Sequence, residues 1–165
     1  MRRYSLAVCG IMLALVMPLY AQAIVRDVVV GGESALPRER LLPLALGKPV
    51  DSALITIANL YSGLGYLDVD VVHADSGVIR VEQGRRYHYN RVSVSGSDSI
   101  LGLLVDQIGQ VRLIEGSWAE SDRVDAAARV LLARLSELGY GLATLIPTLT
   151  LHADAFQADV TLTIE

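Results

Sequence analysis

The amino-acid sequence predicts an α+β fold of two tandem β-α-α-β-β units, each a three-stranded mixed sheet with two helices on one face. Leu-Gly-Tyr occurs twice, at 64–66 and 138–140, each time between an amphipathic helical pattern and an alternating apolar run. Each unit also opens with a β-branched stretch that stops at glycine, "VVVGG" at 28–32 and "VSVSG" at 92–96. The same order of elements, found twice, indicates a repeated supersecondary unit.

Residues 1–23 have the pattern of a secretory signal peptide. Arg2 and Arg3 precede an apolar run over 6–19, and an Ala-Gln-Ala cleavage site ends the segment. The apolar run is short for a membrane span, and an uncleaved anchor is the alternative. Cys9 is the one cysteine, so we expect the exported part to be stabilised by packed cores and not by disulfides.

The charge balance limits the class of partner. The chain has 14 basic and 18 acidic side chains, and two basic ones, Arg2 and Arg3, lie in the leader, which leaves residues 24–165 with a formal charge of −6. Nucleic acids and anionic membrane surfaces both require a basic face. The sequence therefore argues against either as the main partner.

The first unit is predicted over 24–84. After an opening strand, Pro37 stands where a first helix begins, and Pro43 kinks or shortens that helix. Asp51 or Ser52 is expected to cap a second helix.

Two strands complete the first unit. Gly65 is expected to end the second helix in a left-handed conformation, and Tyr66 to begin a strand over 66–73. A hairpin turn at 75–77 leads into the returning strand over 78–84. Asp68 and Asp70 are two positions apart, so they are expected on one wet face of the strand.

The second unit is predicted over 85–165 and repeats this order. An opening strand over 89–96 precedes a short apolar helix over 99–109. After a long second helix, strands over 141–151 and 156–165 complete the unit.

The long helix of the second unit is predicted over 117–139. Ser117 followed by Glu120 has the spacing of a capping box, and Gly139 ends the helix. Tyr140 then begins a strand. The apolar stripe predicted to face the core consists of Val124, Ala127, Ala128, Leu131, Leu132, Leu135 and Leu138.

The sequence offers no convincing catalytic or metal site. His73, His88 and His152 stand at strand ends or at the junction of the units, where solvent-facing histidines are the simplest interpretation. No cysteine remains after the leader, and there is no Gly-x-Ser-x-Gly motif or phosphate-binding glycine loop. We predict a protein that is not an enzyme and binds no cofactor or metal.

The order of the predicted elements and the glycines that end them together resemble tandem polypeptide-transport-associated (POTRA) domains of the outer-membrane β-barrel assembly and translocation family. The matching features are the opening strands with glycine, both Leu-Gly-Tyr motifs, "SGVIRVEQG" at 76–84, and a junction-like "GRRYHYNRVSVSG" at 84–96. The resemblance covers 24–165.

The resemblance implies a periplasmic module attached to the outer membrane. It implies binding and guiding of unfolded outer-membrane or secreted polypeptides by strand addition at sheet edges. Possible partners are assembly-machine subunits and a C-terminal β-barrel, if the chain is a fragment. The alternatives are an arm of a two-partner secretion transporter and a free-standing or anchored scaffold that tethers envelope proteins.

The resemblance also implies that the strands over 66–73 and 141–151 are sheet edges. Pro147 removes one donor from the second of them. We therefore expect the polypeptide-binding edge in the first, at Leu67, Asp68, Val69, Asp70, Val71 and Val72. The opposing interpretation is that the two aspartates prevent pairing.

The junction between the units is predicted at Arg85, Arg86, Tyr87 and Tyr89. It either sets the angle between the units, or contacts a partner, or is an exposed turn that enters a strand. Trp118 and Phe156 are predicted as core anchors because large aromatic side chains are mostly buried.

Overall fold

The computed structural model describes residues 23–97, 100, 101, 104 and 113–165. Within these residues, six strands and three helices of eight or more residues follow one another in two similar groups. They are β1 (Asp27–Val30), α1 (Arg38–Ala45), α2 (Val50–Gly63), β2 (Asp70–Asp75), β3 (Val78–Glu82), β4 (His88–Ser95), α3 (Ser121–Glu137), β5 (Leu145–His152) and β6 (Gln157–Ile164). The predicted leader lies outside the described residues, apart from Ala23.

The strands form two three-stranded sheets with the same topology. The first has the order β1-β3-β2 and the second the order β4-β6-β5. In each sheet the first strand is parallel to the central one and the middle strand of the sequence is antiparallel to it. Both sheets are therefore mixed, and the predicted fold class is confirmed.

Each group has its own core. In the first unit (β1–β3, α1 and α2) the helices cover one face of the sheet, and the core includes Leu41, Ile57, Tyr61 and Ile79. In the second unit (β4–β6 and α3) the core includes Leu131 and alternate residues of β6. Alternation along β6 is what a half-buried sheet requires.

The short helix predicted over 99–109 falls mostly outside the described residues. Ile100, Leu101 and Leu104 are helical, and Leu104 is fully buried in the second core. These three positions agree with the prediction.

Both Leu-Gly-Tyr motifs form the same helix ending. Gly65 and Gly139 have φ of 91° and 93°, in the left-handed region that glycine adopts at little cost. Tyr66 N–H donates to the Tyr61 carbonyl, and Tyr140 N–H donates to the Leu135 carbonyl, so each motif is a Schellman ending.

The strands that follow these endings start later than predicted. Tyr66 and Tyr140 complete the helix endings, and β2 and β5 begin only at Asp70 and Leu145. The prediction that each tyrosine begins a strand is therefore wrong.

The helix starts were also predicted incorrectly. Helix α2 starts at Val50 after Pro49, so neither Asp51 nor Ser52 caps it. Helix α3 starts at Ser121, and Ser117 donates its hydroxyl to the Ile114 carbonyl, so there is no capping box.

The predicted hairpin turn is confirmed. Ser76 and Gly77, at the hairpin turn between β2 and β3, both have positive φ, as a type I′ turn requires. Pro43 lies inside α1, which ends two residues later. Within the described part of the chain, no helix is long and apolar enough to cross a membrane.

Candidate functional site

The outer edge of β2 presents backbone groups that β3 does not use. Gly31 N–H donates to the Val81 carbonyl, so Val81 faces β1, and the neighbouring Arg80 faces β2. Val72 is the partner of Arg80 in the β2–β3 register, so the backbone of Val72 forms hydrogen bonds with β3. By the same alternation Val71 points its N–H and C=O away from the sheet.

The usable edge of β2 is short. The register shifts between His73 and Asp75, which places a bulge at this end of the strand. Asp70 and Asp75 are both exposed and stand at the two ends of the strand. Unpaired donors and acceptors therefore lie between two carboxylates, over about four residues.

The predicted binding edge lies partly outside β2. Asp70, Val71 and Val72 belong to the strand, but Leu67, Asp68 and Val69 precede it. Leu67 packs against the core of the second unit, and Val69 packs against the first core. For these three residues the prediction of an edge position is wrong, because the chain closes the helix ending before it extends.

The outer edge of β5 is longer and regular. Thr144 and Glu165 exchange two backbone hydrogen bonds of 2.8 and 3.0 Å, which fixes the alternation along the β5–β6 pair. Pro147 and Leu149 are therefore among the residues whose backbones point outward. Proline occupies a position where its missing N–H costs no ladder bond, as predicted for an edge strand.

The edge strand β4 is partly covered by the chain itself. Tyr89 N–H donates to the Ser117 carbonyl, and Gly116 N–H donates to the Tyr89 carbonyl. Further along, Val92 N–H reaches the Glu115 carboxylate at 3.4 Å. These bonds cover part of the β4 edge, whereas no such backbone bond covers the outward groups of β2 and β5 among the described residues.

The junction between β3 and β4 is ordered by contacts with both units. Asp68 is exposed, as predicted, and its carboxylate accepts hydrogen bonds from Arg85 N–H at 3.1 Å and from the Tyr87 hydroxyl at 3.3 Å. Tyr87 is 1% exposed. The interpretation of this segment as an exposed turn therefore does not hold for Tyr87.

Arg86 lies between the two units. Its Nε donates to the Leu64 carbonyl at 2.6 Å, and Nη2 lies 3.3 Å from the Glu120 carboxylate. Its guanidinium carbon is 4.3 Å from the centre of the Trp118 ring, within the range of a cation–π interaction.

Trp118 packs against this junction and is not a core anchor. Its side chain is 39% exposed and stacks on the His88 ring at 3.9 Å. The prediction of burial was wrong because the indole packs against the edge of the second unit. Phe156 is half-buried against the second core, with Arg85 4.6 Å from its ring centre.

The tyrosines near the junction are held in their neutral form. Burial raises the pKa of Tyr89 to about 12, and its hydroxyl donates to the Glu120 carbonyl at 2.7 Å. Burial, and then the nearby Asp68 carboxylate, also raise the pKa of Tyr87.

The histidines do not converge. His73 accepts from Gly77 N–H, and His152 lies 2.9 Å from Asp159. The hydrogen bonds from His152 and then Asn90 lower the pKa of Asp159. Across the described ranges, no group of three or more histidine, cysteine, aspartate or glutamate side chains could hold a metal ion.

Sequence reasoning missed several contributors to the junction. Leu64 and Gly65 offer carbonyl groups to Arg86 and Tyr87, and Glu120 offers a carboxylate. The repeated Leu-Gly-Tyr motif marked the first pair, but only as a helix ending. The role of Glu120 at the junction was missed because its spacing from Ser117 matches a capping box.

Solved structures that resemble the chain over most of its length include the following two. One is BamA POTRA3-5 from Haemophilus influenzae, with a TM-score of 0.58 and 16% identity; the match covers 87% of this chain and 66% of that one. The other is POTRA1-2 of the periplasmic domain of Omp85 from Anabaena, with a TM-score of 0.52 and 15% identity, covering 86% and 93%. No protein-family model and no curated protein matches the sequence. At these identities the likeness establishes the fold, which is that of tandem POTRA domains.

Proposed function

We propose that the chain is a periplasmic tandem POTRA module that binds and guides extended segments of unfolded outer-membrane or secreted polypeptides. It binds them by strand addition and catalyses no reaction. The observation that carries the proposal is the outer edge of β2, where Val71 presents backbone groups that no described residue occupies. An extended chain satisfies such groups with its own backbone, largely independently of its sequence.

The chemistry of the β2 edge restricts the client. Asp70 and Asp75 bracket the unpaired segment, and Val72 is 39% exposed beside them. An incoming strand with apolar residues between flanking lysines complements this arrangement, whereas an acidic strand is repelled. Exposed charge pairs are screened by salt, so binding weakens as ionic strength rises.

The two edges differ in how they limit pairing. The β2 edge is shortened by its bulge and acidic ends, which are common devices against aggregation. The β5 edge is regular and is interrupted by Pro147 alone. We propose that β2 is the principal docking edge and that Pro147 keeps β5 from competing with it.

A proline placed at Val71 tests the docking edge. Val71→Pro removes an outward N–H and leaves the bonds to β3 in place, so the unit stays folded and loses strand binding. Binding is measured with a labelled peptide that alternates valine and threonine between flanking lysines. Far-ultraviolet circular dichroism checks the fold.

The neighbouring position is the matched control. Val72→Pro removes an N–H that faces Arg80, so it destabilises the sheet itself. Unchanged peptide affinity in a folded Val71→Pro variant would contradict docking at β2.

Replacing Pro147 tests the second edge. Pro147→Val restores an outward donor in β5, and we expect a second, weaker binding site for the same peptide. If Val71→Pro has no effect while Pro147→Val raises binding, the docking edge is β5 and our assignment to β2 is wrong.

A further inference from the structure

We propose that Arg86 is a positioning residue that holds the two units at one fixed angle. Relative motion is the usual expectation for two small domains joined by a linker. In this chain the junction is the segment 83–87, between the end of β3 and the start of β4, and its residues are anchored one after another.

The first part of the junction is bound to the first unit. The Gln83 side-chain oxygen accepts from Ala35 N–H at 2.7 Å, and its amide nitrogen donates to the Glu33 carbonyl at 3.2 Å. Gly84 has a φ of 66° and lies directly against the Asp68 carboxylate. The same carboxylate accepts from Arg85 N–H.

The last residue of the junction binds both units through its backbone. Tyr87 N–H donates to the Gly65 carbonyl at 2.9 Å, and the Tyr87 carbonyl accepts from Ala119 N–H at 2.8 Å. Gly65 belongs to the ending of α2, and Ala119 lies just before α3. The ending of one helix is therefore connected to the start of the other through a single buried residue.

Arg86 adds a side-chain link across the same gap. Leu64, the C-cap residue of α2, supplies a carbonyl that has no partner within the helix. Glu120 and Trp118 supply a carboxylate and an aromatic face from the second unit. The planar guanidinium meets all three at once, and a lysine ammonium does not reproduce this geometry.

This fixed angle determines how the β2 and β5 edges are placed relative to each other. The inference concerns the angle alone, so it stands whether or not either edge binds a client.

Pulsed electron–electron double resonance, which measures the distance between two spin labels, tests the proposal. Ser52 on α2 and Ser136 on α3 are exposed and lie on different units, so each is replaced by cysteine, with Cys9→Ser in the whole chain. The wild-type arrangement gives one narrow distance peak. Arg86→Lys keeps the Tyr87 backbone bonds but loses the side-chain link between the units, so the distribution of distances broadens.

Arg123→Lys is the matched control. Arg123 also pairs with Glu120, at 2.6 Å, but within the second unit. Its replacement removes a bond to the same carboxylate without crossing the junction, so the narrow peak is retained.

Two results would overturn the proposal. One is a broad distribution in the unsubstituted chain, and the other is a narrow peak that persists in folded Arg86→Lys. If Arg86→Lys does not fold, Trp118→Leu removes the aromatic face that Arg86 contacts, together with its stacking on His88, and is expected to broaden the peak. A narrow peak in that variant would also overturn the proposal.

Discussion

At the scale of one residue, Gly84 shows how tightly the junction packs against the Asp68 side chain. An added Cβ would lie 2.7 Å from Asp68 Cγ, closer than side chains pack, and φ is already 66°. Gly32 has nearly the same φ, 65°, with nothing within 4 Å of an added Cβ. An alanine at either position would have the same backbone strain, but only at Gly84 would its Cβ collide with a neighbouring side chain.

Gly84→Ala is therefore expected to be more destabilising than Gly32→Ala. Left-handed strain costs each variant about 1 kcal/mol. At Gly84, displacement of the Asp68 carboxylate costs about 2 kcal/mol more, the size of a hydrogen bond to a charged group. Urea unfolding measures the difference, and equal losses would show that the Asp68 contact has no energetic weight.

The raised pKa of Tyr89 predicts that the folded protein loses stability at alkaline pH. Its folded pKa of about 12 lies above the ordinary value of 10, so the unfolded chain releases the proton first. The stabilisation is complete below pH 10 and is lost as the pH rises toward 12, by on the order of 2 kcal/mol. Unfolding free energies measured between pH 8 and 11 should fall, and Tyr89→Phe should reduce the slope. A flat profile would contradict the assignment.

The residue scale is also where sequence reasoning failed most. Asp68 is exposed, as the sequence predicts, but it precedes β2 and binds the junction, and Trp118 is not the core anchor that the sequence predicts. Their roles depend on Arg85, Tyr87, Arg86 and His88, which meet them only once both units are in place. Periodicity reports which face of an element is apolar, and it does not report contacts between units.

At the scale of elements, α3 offers a direct test of its amphipathic pattern. Leu131 is 0% exposed, and Val130 beside it is 51% exposed. Leu131→Ala should cost about 2–5 kcal/mol through lost burial and a residual cavity. Val130→Ala should stay within about 0.5 kcal/mol. Thermal or urea unfolding distinguishes them, and similar losses would mean that the helix does not pack on the face described.

The elements were predicted well where one physical signal dominated. The stripe from Val124 to Leu135 identified the buried face of α3, and Gly65 and Gly139 marked both helix endings. Helix starts were missed because Pro49 and Glu120 occupy the cap positions without a side-chain cap bond. Strand starts were missed because each Schellman ending is followed by several more residues before pairing begins.

At the scale of the whole molecule, the repeat organisation was predictable and the joint was not. The two sheets have identical topology, as the repeated sequence order indicated. The predicted boundary between residues 84 and 85 falls inside the anchored junction and stays a prediction. The described residues therefore form two small cores joined by one ordered junction, with accessible edges on β2 and β5.

Hydrogen exchange at the backbone amides of β2, with and without the valine–threonine peptide, tests the central claim most directly. The Val72 amide faces Arg80 and should be protected in both states, whereas the Val71 amide points outward and should exchange rapidly in the free protein. Added peptide should slow Val71 and leave Val72 unchanged. A bound peptide that leaves Val71 exchanging as fast as before would contradict strand addition at this edge.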